Sequence, residues 1–247
     1  MPTGANKKKK YTYVWVSLVV LVFGIFAVRE IGKRFADGSV VELDRMHGTP
    51  DADALSYITD TNGRRQVPRF SFLNQDSVRV TNEDYAGKVY VVDFFFTTCP
   101  TICPVMTQNL VEIQDTFSGS DAFGVASFSI NPRYDVPHVL RTYASKYGVA
   151  DPDWNLMTGD QSEIHRLANE GFYILAAENG EAPGGFEHSG LFALVDKQGY
   201  LRSRTDKFGN PLIYYRGMIP EAQGTNAEGE AQQITMLKED IKKLLAD

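Results

Sequence analysis

The sequence predicts an α/β sandwich of three layers behind one N-terminal membrane-spanning helix. Three observations carry this. Eighteen uncharged residues, Tyr11 to Val28, follow the run Lys7-Lys8-Lys9-Lys10. From about residue 66, short apolar strands alternate with segments of helical period. The chain closes on an amphipathic helix, with apolar residues at Ile234, Leu237, Ile241, Leu244 and Leu245.

The N-terminal run comes first. Eighteen helical residues reach roughly 27 Å, close to the hydrocarbon thickness of a bilayer. Its apolar side chains run all round rather than along one stripe, which argues against a buried core helix. A cleavable signal peptide competes with this reading. The run is long for one, though, and ends in Phe26-Ala27-Val28-Arg29-Glu30 without a small-x-small site. The expected organisation is a basic cytoplasmic segment 1–10, a membrane helix 11–28, a tether 29–65 and a globular domain 66–247. The basic flank sets that domain outside the cytoplasm, on the periplasmic side of an inner membrane. Residues 1–34 carry seven Lys and Arg against one Glu. The rest carries eighteen basic and thirty acidic residues, a formal −12. No basic stripe for nucleic acid exists.

Within the domain, Phe70–Leu73 and Val78–Val80 flank Asn74-Gln75-Asp76 as a β-hairpin. Thr81-Asn82-Glu83-Asp84 caps a short helical turn stopped by Gly87. Val89–Phe96 is a buried strand and Phe123–Ile130 a second. Asn131–Pro137 breaks the latter, and a helix from Pro137 to Tyr147 ends at Gly148. Trp154–Met157 is a short strand. Asp160 and Glu163 have capping-box spacing and open a helix through Ile164, Leu167 and Ala168, with Gly171 as its stop. Phe172–Leu175 and Leu191–Val195 read as strands, the latter turning at Asp196–Gly199 into Tyr200–Arg202.

The chain has two cysteines, both in Cys99-Pro100-Thr101-Ile102-Cys103-Pro104, directly after the strand that ends at Phe96. Apolar residues at 102, 105, 106, 110, 113 and 117 give the following segment helical spacing. The pair therefore sits at a strand-to-helix turn, with Pro104 suited to the first turn. In near-helical geometry an i, i+4 pair has Cα atoms roughly 6 Å apart. That separation suits a disulfide, and it suits two thiolates on one metal ion. A helix N-terminus lowers thiol pKa values and favours the reactive form. Two buried core thiols would need neither this spacing nor the flanking prolines.

These residues, Phe95-Phe96-Thr97-Thr98-Cys99-Pro100-Thr101-Ile102-Cys103-Pro104, resemble the Sco/SenC family. So do Asn131-Pro132-x-x-Asp135, and His188 just before an apolar strand and an Asp-x-x-Gly turn. The resemblance covers about residues 66–205 and the last helix. It implies a thioredoxin-like fold and a membrane-anchored copper-binding assembly factor of cytochrome c oxidase. It assigns Cys99, Cys103 and His188 as ligands of one copper ion, Cu(I), Cu(II) or both. It also implies partners: the copper-acceptor subunit of the oxidase, and a thiol reductant or copper donor. Two features depart from the family pattern. Asn131 stands where an Asp is common, and residues 206–230 form a longer connection.

Two thiolates and an imidazole make a soft donor set that favours copper over magnesium, calcium or manganese. Zinc accepts the same set when water completes it. His47, His138 and His165 are expected to be solvated, and Met106 to pack in the core. Asp135 either orients a loop or caps the helix at Pro137. The competing function is a thiol–disulfide reductase using Cys99 and Cys103 as its redox pair to keep copper-ligand cysteines of the oxidase reduced. A peroxidase fits neither the Cys-x-x-x-Cys spacing nor His188.

Overall fold

The computed structural model describes residues 8–36, 50–61, 63–206, 208 and 210–247. It divides into two units, 1–44 and 45–247. In the first, Lys8–Ala36 form one helix, α1. Its described side chains, at 14–26 and 28–29, are exposed on every face, Trp15, Phe23 and Phe26 by 69–75%. Among the described residues no helix is long and apolar enough to cross a membrane. The uncharged run Tyr11–Val28 extends beyond those side chains. His47 lies outside the described residues.

The second unit is built on a mixed sheet. Its strands are β1 (Pro50–Tyr57), β2 (Thr59–Asp60), β3 (Gly63–Arg64), β4 (Ser71–Asn74), β5 (Arg79–Thr81), β6 (Val89–Phe95) and β7 (Phe123–Ser129). There follow β8 (Trp154–Thr158), β9 (Ala176–Glu178), β10 (Phe186–His188), β11 (Leu191–Val195), β12 (Leu201–Asp206) and β13 (Tyr215–Arg216). The order across the main sheet is β1-β12-β11-β6-β7-β8-β4-β5, with β13 on β11. β6, β7 and β8 are parallel, and the other pairs antiparallel. The central strands β6 and β7 are buried throughout, as parallel strands covered on both faces must be. The helices are α2 (Cys103–Thr116), α3 (Pro137–Tyr147), α4 (Gln161–Arg166) and α5 (Ile234–Ala246).

Alternation along β6 sorts the two faces. Phe94 meets Phe128 and Phe172 on one side, while Phe95 meets Tyr143 of α3 on the other. Thr81 caps the helical turn Asn82–Tyr85 with both arms of a capping box, as its sequence predicts. Asp160 accepts from the Glu163 amide at the start of α4, and Gly148 closes α3 at a φ of +82°.

Two expectations differ from the structure. Phe172–Leu175 is not a strand. α4 runs on into a wide turn, Leu167–Gly171, and Tyr173 takes a left-handed φ of +52°. Phe172 and Ile174 are buried by packing, and pairing begins only at Ala176. Part of the expected tether is also built into the sheet. β1 pairs with β12, and Arg65 is anchored by the Gly171 and Glu170 carbonyls, Asp60 and the Tyr173 hydroxyl.

Candidate metal centre

Cys99 lies in the turn after β6, and Cys103 is the first residue of α2. Cys99 is therefore outside the helix. The turn Thr97–Ile102 brings its sulfur back over the N-terminus, and Pro104 occupies the first helical turn as expected. Both cysteines are free thiols and buried. His188 ends β10, whose partner β9 places His188 opposite Ala176. Its Nε2 lies 3.6 Å from Cys99 Sγ and 3.4 Å from Cys103 Sγ. The three ligand atoms all lie within 4.8 Å of one another.

The loop carrying His188 is shaped to fit. Gly184 has a φ of +79°, and a Cβ there would stand 2.7 Å from the Phe96 ring. Only glycine allows this close approach. Phe96 in turn packs on Phe186 and meets His188 edge-on, with centroids 5.3 and 5.4 Å away.

The cysteine turn is held from behind by Asp135. This fully buried carboxylate accepts from the Thr97 amide at 3.0 Å, from the Thr97 hydroxyl, and from Ser129 Oγ at 2.5 Å. It orients the loop; the N-cap of α3 is Val136, with no side-chain hydrogen bond. Burial pushes the Asp135 carboxyl up, and these donors pull against that. Thr97 lies within the cysteine segment, but no local spacing in the sequence marks it or Ser129 as a donor to Asp135. Met106 is buried in the core as expected. His165 is not simply solvated: its Nε2 is 2.8 Å from the Ile130 carbonyl. His138 lies in the first turn of α3, away from the ligand cluster. Asn131 contributes through its backbone, its carbonyl accepting from the Tyr134 and Asp135 amides.

The electrostatics separate the two thiols. Cys99 is held well below the usual thiol range, first by a hydrogen bond from Cys103 and then by His188, with burial opposing. Burial pushes Cys103 up, and its hydrogen bond to Cys99 pushes it further. The two thiols titrate as a coupled pair. Around one ion, donors at about 2.0–2.3 Å lie roughly 3.4–4 Å from each other. The observed sulfur–nitrogen separations fit that without rearrangement. Two thiolates with Cu(I) would carry a net −1, and with Cu(II) none. Among the described residues this is the cluster of His, Cys, Asp and Glu able to hold an ion.

A family model described as SCO1/SenC matches residues 59–217. The SCO1 protein homolog of Bacillus subtilis is 34% identical over 136 residues, 54% of this chain and 70% of that protein. BsSco, a member of the Sco family of cytochrome c oxidase assembly proteins in which a disulfide switch was identified, superposes with a TM-score of 0.57. It is 28% identical, over 73% of this chain and 93% of its own. ScoI of Bradyrhizobium japonicum, solved with copper bound, superposes with a TM-score of 0.54 at 20% identity, over 72% and 99%. At that identity the likeness concerns the fold. The architecture is thus the mixed α/β, thioredoxin-like Sco fold. One protein of this fold has been solved with copper bound, and this chain has a Cys-Cys-His group that could bind a metal ion.

Proposed function

The chain belongs to the SCO1/SenC family, and on that premise we propose that it is a membrane-anchored copper chaperone. It binds one copper ion through Cys99, Cys103 and His188 and delivers it to the copper-acceptor subunit of cytochrome c oxidase during assembly. The observation that carries this reading is the aim of His188 Nε2 at both sulfurs, 3.4 and 3.6 Å away. A dithiol reductase needs two sulfurs and no imidazole converging on them. A soft S₂N set is what copper selects.

The globular domain works outside the cytoplasm, held by a single-pass helix 11–28 and a connection that ends where β1 joins the sheet. The basic run Lys7–Lys10 supports this orientation. The exposed apolar side chains Val14–Phe26 support burial in lipid. The oxidation state follows the thiols. Joining Cys99 to Cys103 removes both thiolate ligands, so a thiol reductant must act before loading. The residues themselves bind and orient: the sulfurs grip the ion, His188 completes the set, and Asp135 fixes the cysteine turn.

The experiment is transfer. The full-length reduced chain, loaded with one copper, is mixed with the acceptor domain carrying either reduced or oxidised cysteines. Copper should move to the reduced acceptor, Cys99→Ser and Cys103→Ser should each impair loading with either ion, and His188→Ala should impair loading with Cu(II). Reduction of the oxidised acceptor by the copper-free chain, with no copper binding at all, would establish the reductase reading instead.

A further inference from the structure

Metal-bound imidazoles are normally oriented by a hydrogen bond at the other ring nitrogen. Here His188 Nδ1 is buried and without a partner. Something else must fix the ring over the sulfurs. On its N-terminal side, β10 is held by β9. On its C-terminal side the chain reaches Gly190 within two residues, and there it meets a strap formed by residues 215–219.

The strap touches both ligand-bearing elements. On the histidine side, Tyr215 and Arg216 pair with Phe192 and Leu191, and the Gly217 amide donates to the Gly190 carbonyl at 2.8 Å. The contact is close-packed. A Cβ at Gly190 would meet Met218 at 2.9–3.1 Å, and a Cβ at Gly217 would meet the Phe192 ring at 2.5 Å. On the cysteine side, Asn109 Nδ2 donates to the Gly217 carbonyl at 2.8 Å and the Ile219 carbonyl at 3.1 Å. Asn109 is 1% exposed. It sits on α2 six residues after Cys103, roughly 9 Å along the axis. Both amide hydrogens are thereby committed to the strap.

We propose that Asn109 is a positioning residue of the metal centre: by clamping the 215–219 strap to α2, it sets the distance between the His188 loop and the cysteine helix. The proposal rests on the copper-binding reading and deepens it. The longer connection after residue 205 becomes part of the site. Its consequence is selective. Two thiolates alone satisfy Cu(I), a soft ion, whereas Cu(II) depends more on the imidazole. Releasing the strap therefore affects Cu(II) more than Cu(I).

The test uses the full-length chain with Asn109→Asp, which keeps size but replaces the two N–H donors by a carboxyl that donates at most one hydrogen bond. Gly190→Ala, which leaves Asn109 intact and displaces Met218, is the second variant. Three quantities are read: Cu(II) affinity with the sulfur-to-copper charge-transfer band and nitrogen couplings in electron paramagnetic resonance, Cu(I) affinity by chelator competition, and the His188 imidazole NMR resonance in metal-free protein. Both variants should lose about 10–100-fold in Cu(II) affinity, the range for outer-sphere partners. Nitrogen coupling should weaken, Cu(I) affinity should hold within about threefold, and the His188 resonance should move toward that of a solvated histidine. Equal loss of both ions, or wild-type behaviour in a variant that melts cooperatively, would overturn the proposal. If Asn109→Asp does not fold, Gly190→Ala decides alone. If the wild-type chain takes up no copper, the chaperone reading falls, and the imidazole resonance still decides whether Asn109 positions His188.

Discussion

Replacing Asp93 by asparagine should stabilise the domain in a pH-dependent way, and the size of the effect follows from its surroundings. Asp93 lies in the centre of β6, 2% exposed. Ser127 Oγ donates to it at 2.5 Å, and Trp154 Nε1 donates to Ser127 Oγ at 2.9 Å. Among the described residues no cation forms an ion pair with it. Burial pushes its carboxyl from the ordinary 3.8 up to about 7, with the Ser127 hydrogen bond pulling the other way. Below pH 3.8 the carboxyl is protonated in both folded and unfolded chains, and folding carries no penalty from it. As pH rises, the unfolded chain releases its proton first, so folded protein binds more protons and stability falls. The loss levels off above pH 7. At about 1.4 kcal/mol per pH unit, the gap from 3.8 to about 7 is about 4 kcal/mol. Asparagine is neutral throughout and still accepts from Ser127. Urea unfolding of Asp93→Asn and wild type at pH 4, 5, 6 and 8 tests this. The difference between the two should be smallest at pH 4, about 1 kcal/mol larger at pH 5, and about 4 kcal/mol larger at pH 8. Any fixed offset from the new amide cancels in that comparison. A difference that stays constant across the range would refute the reasoning.

Three further outcomes are expected. Arg204→Ala should cost about 3–5 kcal/mol in unfolding free energy. It strips Asp240, fully buried and bonded by Arg204 Nε at 2.7 and 2.9 Å, of its buried cation and leaves it the half-exposed Lys243 at 3.7 Å and the Tyr215 hydroxyl; a loss below about 1 kcal/mol would contradict the burial argument. Full-length chain oxidised to the Cys99–Cys103 disulfide, verified by mass, should hold no stoichiometric copper, and retention of one ion would show that the sulfurs are not the ligands. A C-terminal alkaline phosphatase fusion should be active and stay with membranes; an active cytoplasmic reporter at the same end would reverse the orientation.

The site was legible where its signal is local. The cysteine spacing, Pro104 and the run before Cys99 are one contiguous segment, and the structure has them at the turn from β6 to α2. Hairpin β4–β5 and the Thr81 cap were legible for the same reason. His188 needed the resemblance, because nothing in its glycine-rich neighbourhood shows that its strand pairs with Ala176–Glu178. The misplaced strand at Phe172–Leu175 shows the limit of periodicity. Phe172 and Ile174 are buried and Tyr173 and Leu175 exposed, an alternation that a strand would also show, and burial alone does not choose pairing. The Arg65 clamp, the β1–β12 ladder and the Asn109 strap join residues more than a hundred positions apart. Such contacts leave no periodic trace in one sequence. Asp135 was legible as a candidate, but its three donors come from two other segments.

X-ray absorption at the copper edge tests the central claim most directly. The sample is full-length reduced chain loaded with one equivalent of copper. The account requires one copper per chain, with two sulfur scatterers and one imidazole nitrogen in its first coordination sphere. The sulfur contribution should vanish in the Cys99→Ser, Cys103→Ser double variant, and the imidazole contribution in His188→Ala. A first sphere of nitrogen and oxygen alone, unchanged by these substitutions, would contradict the account.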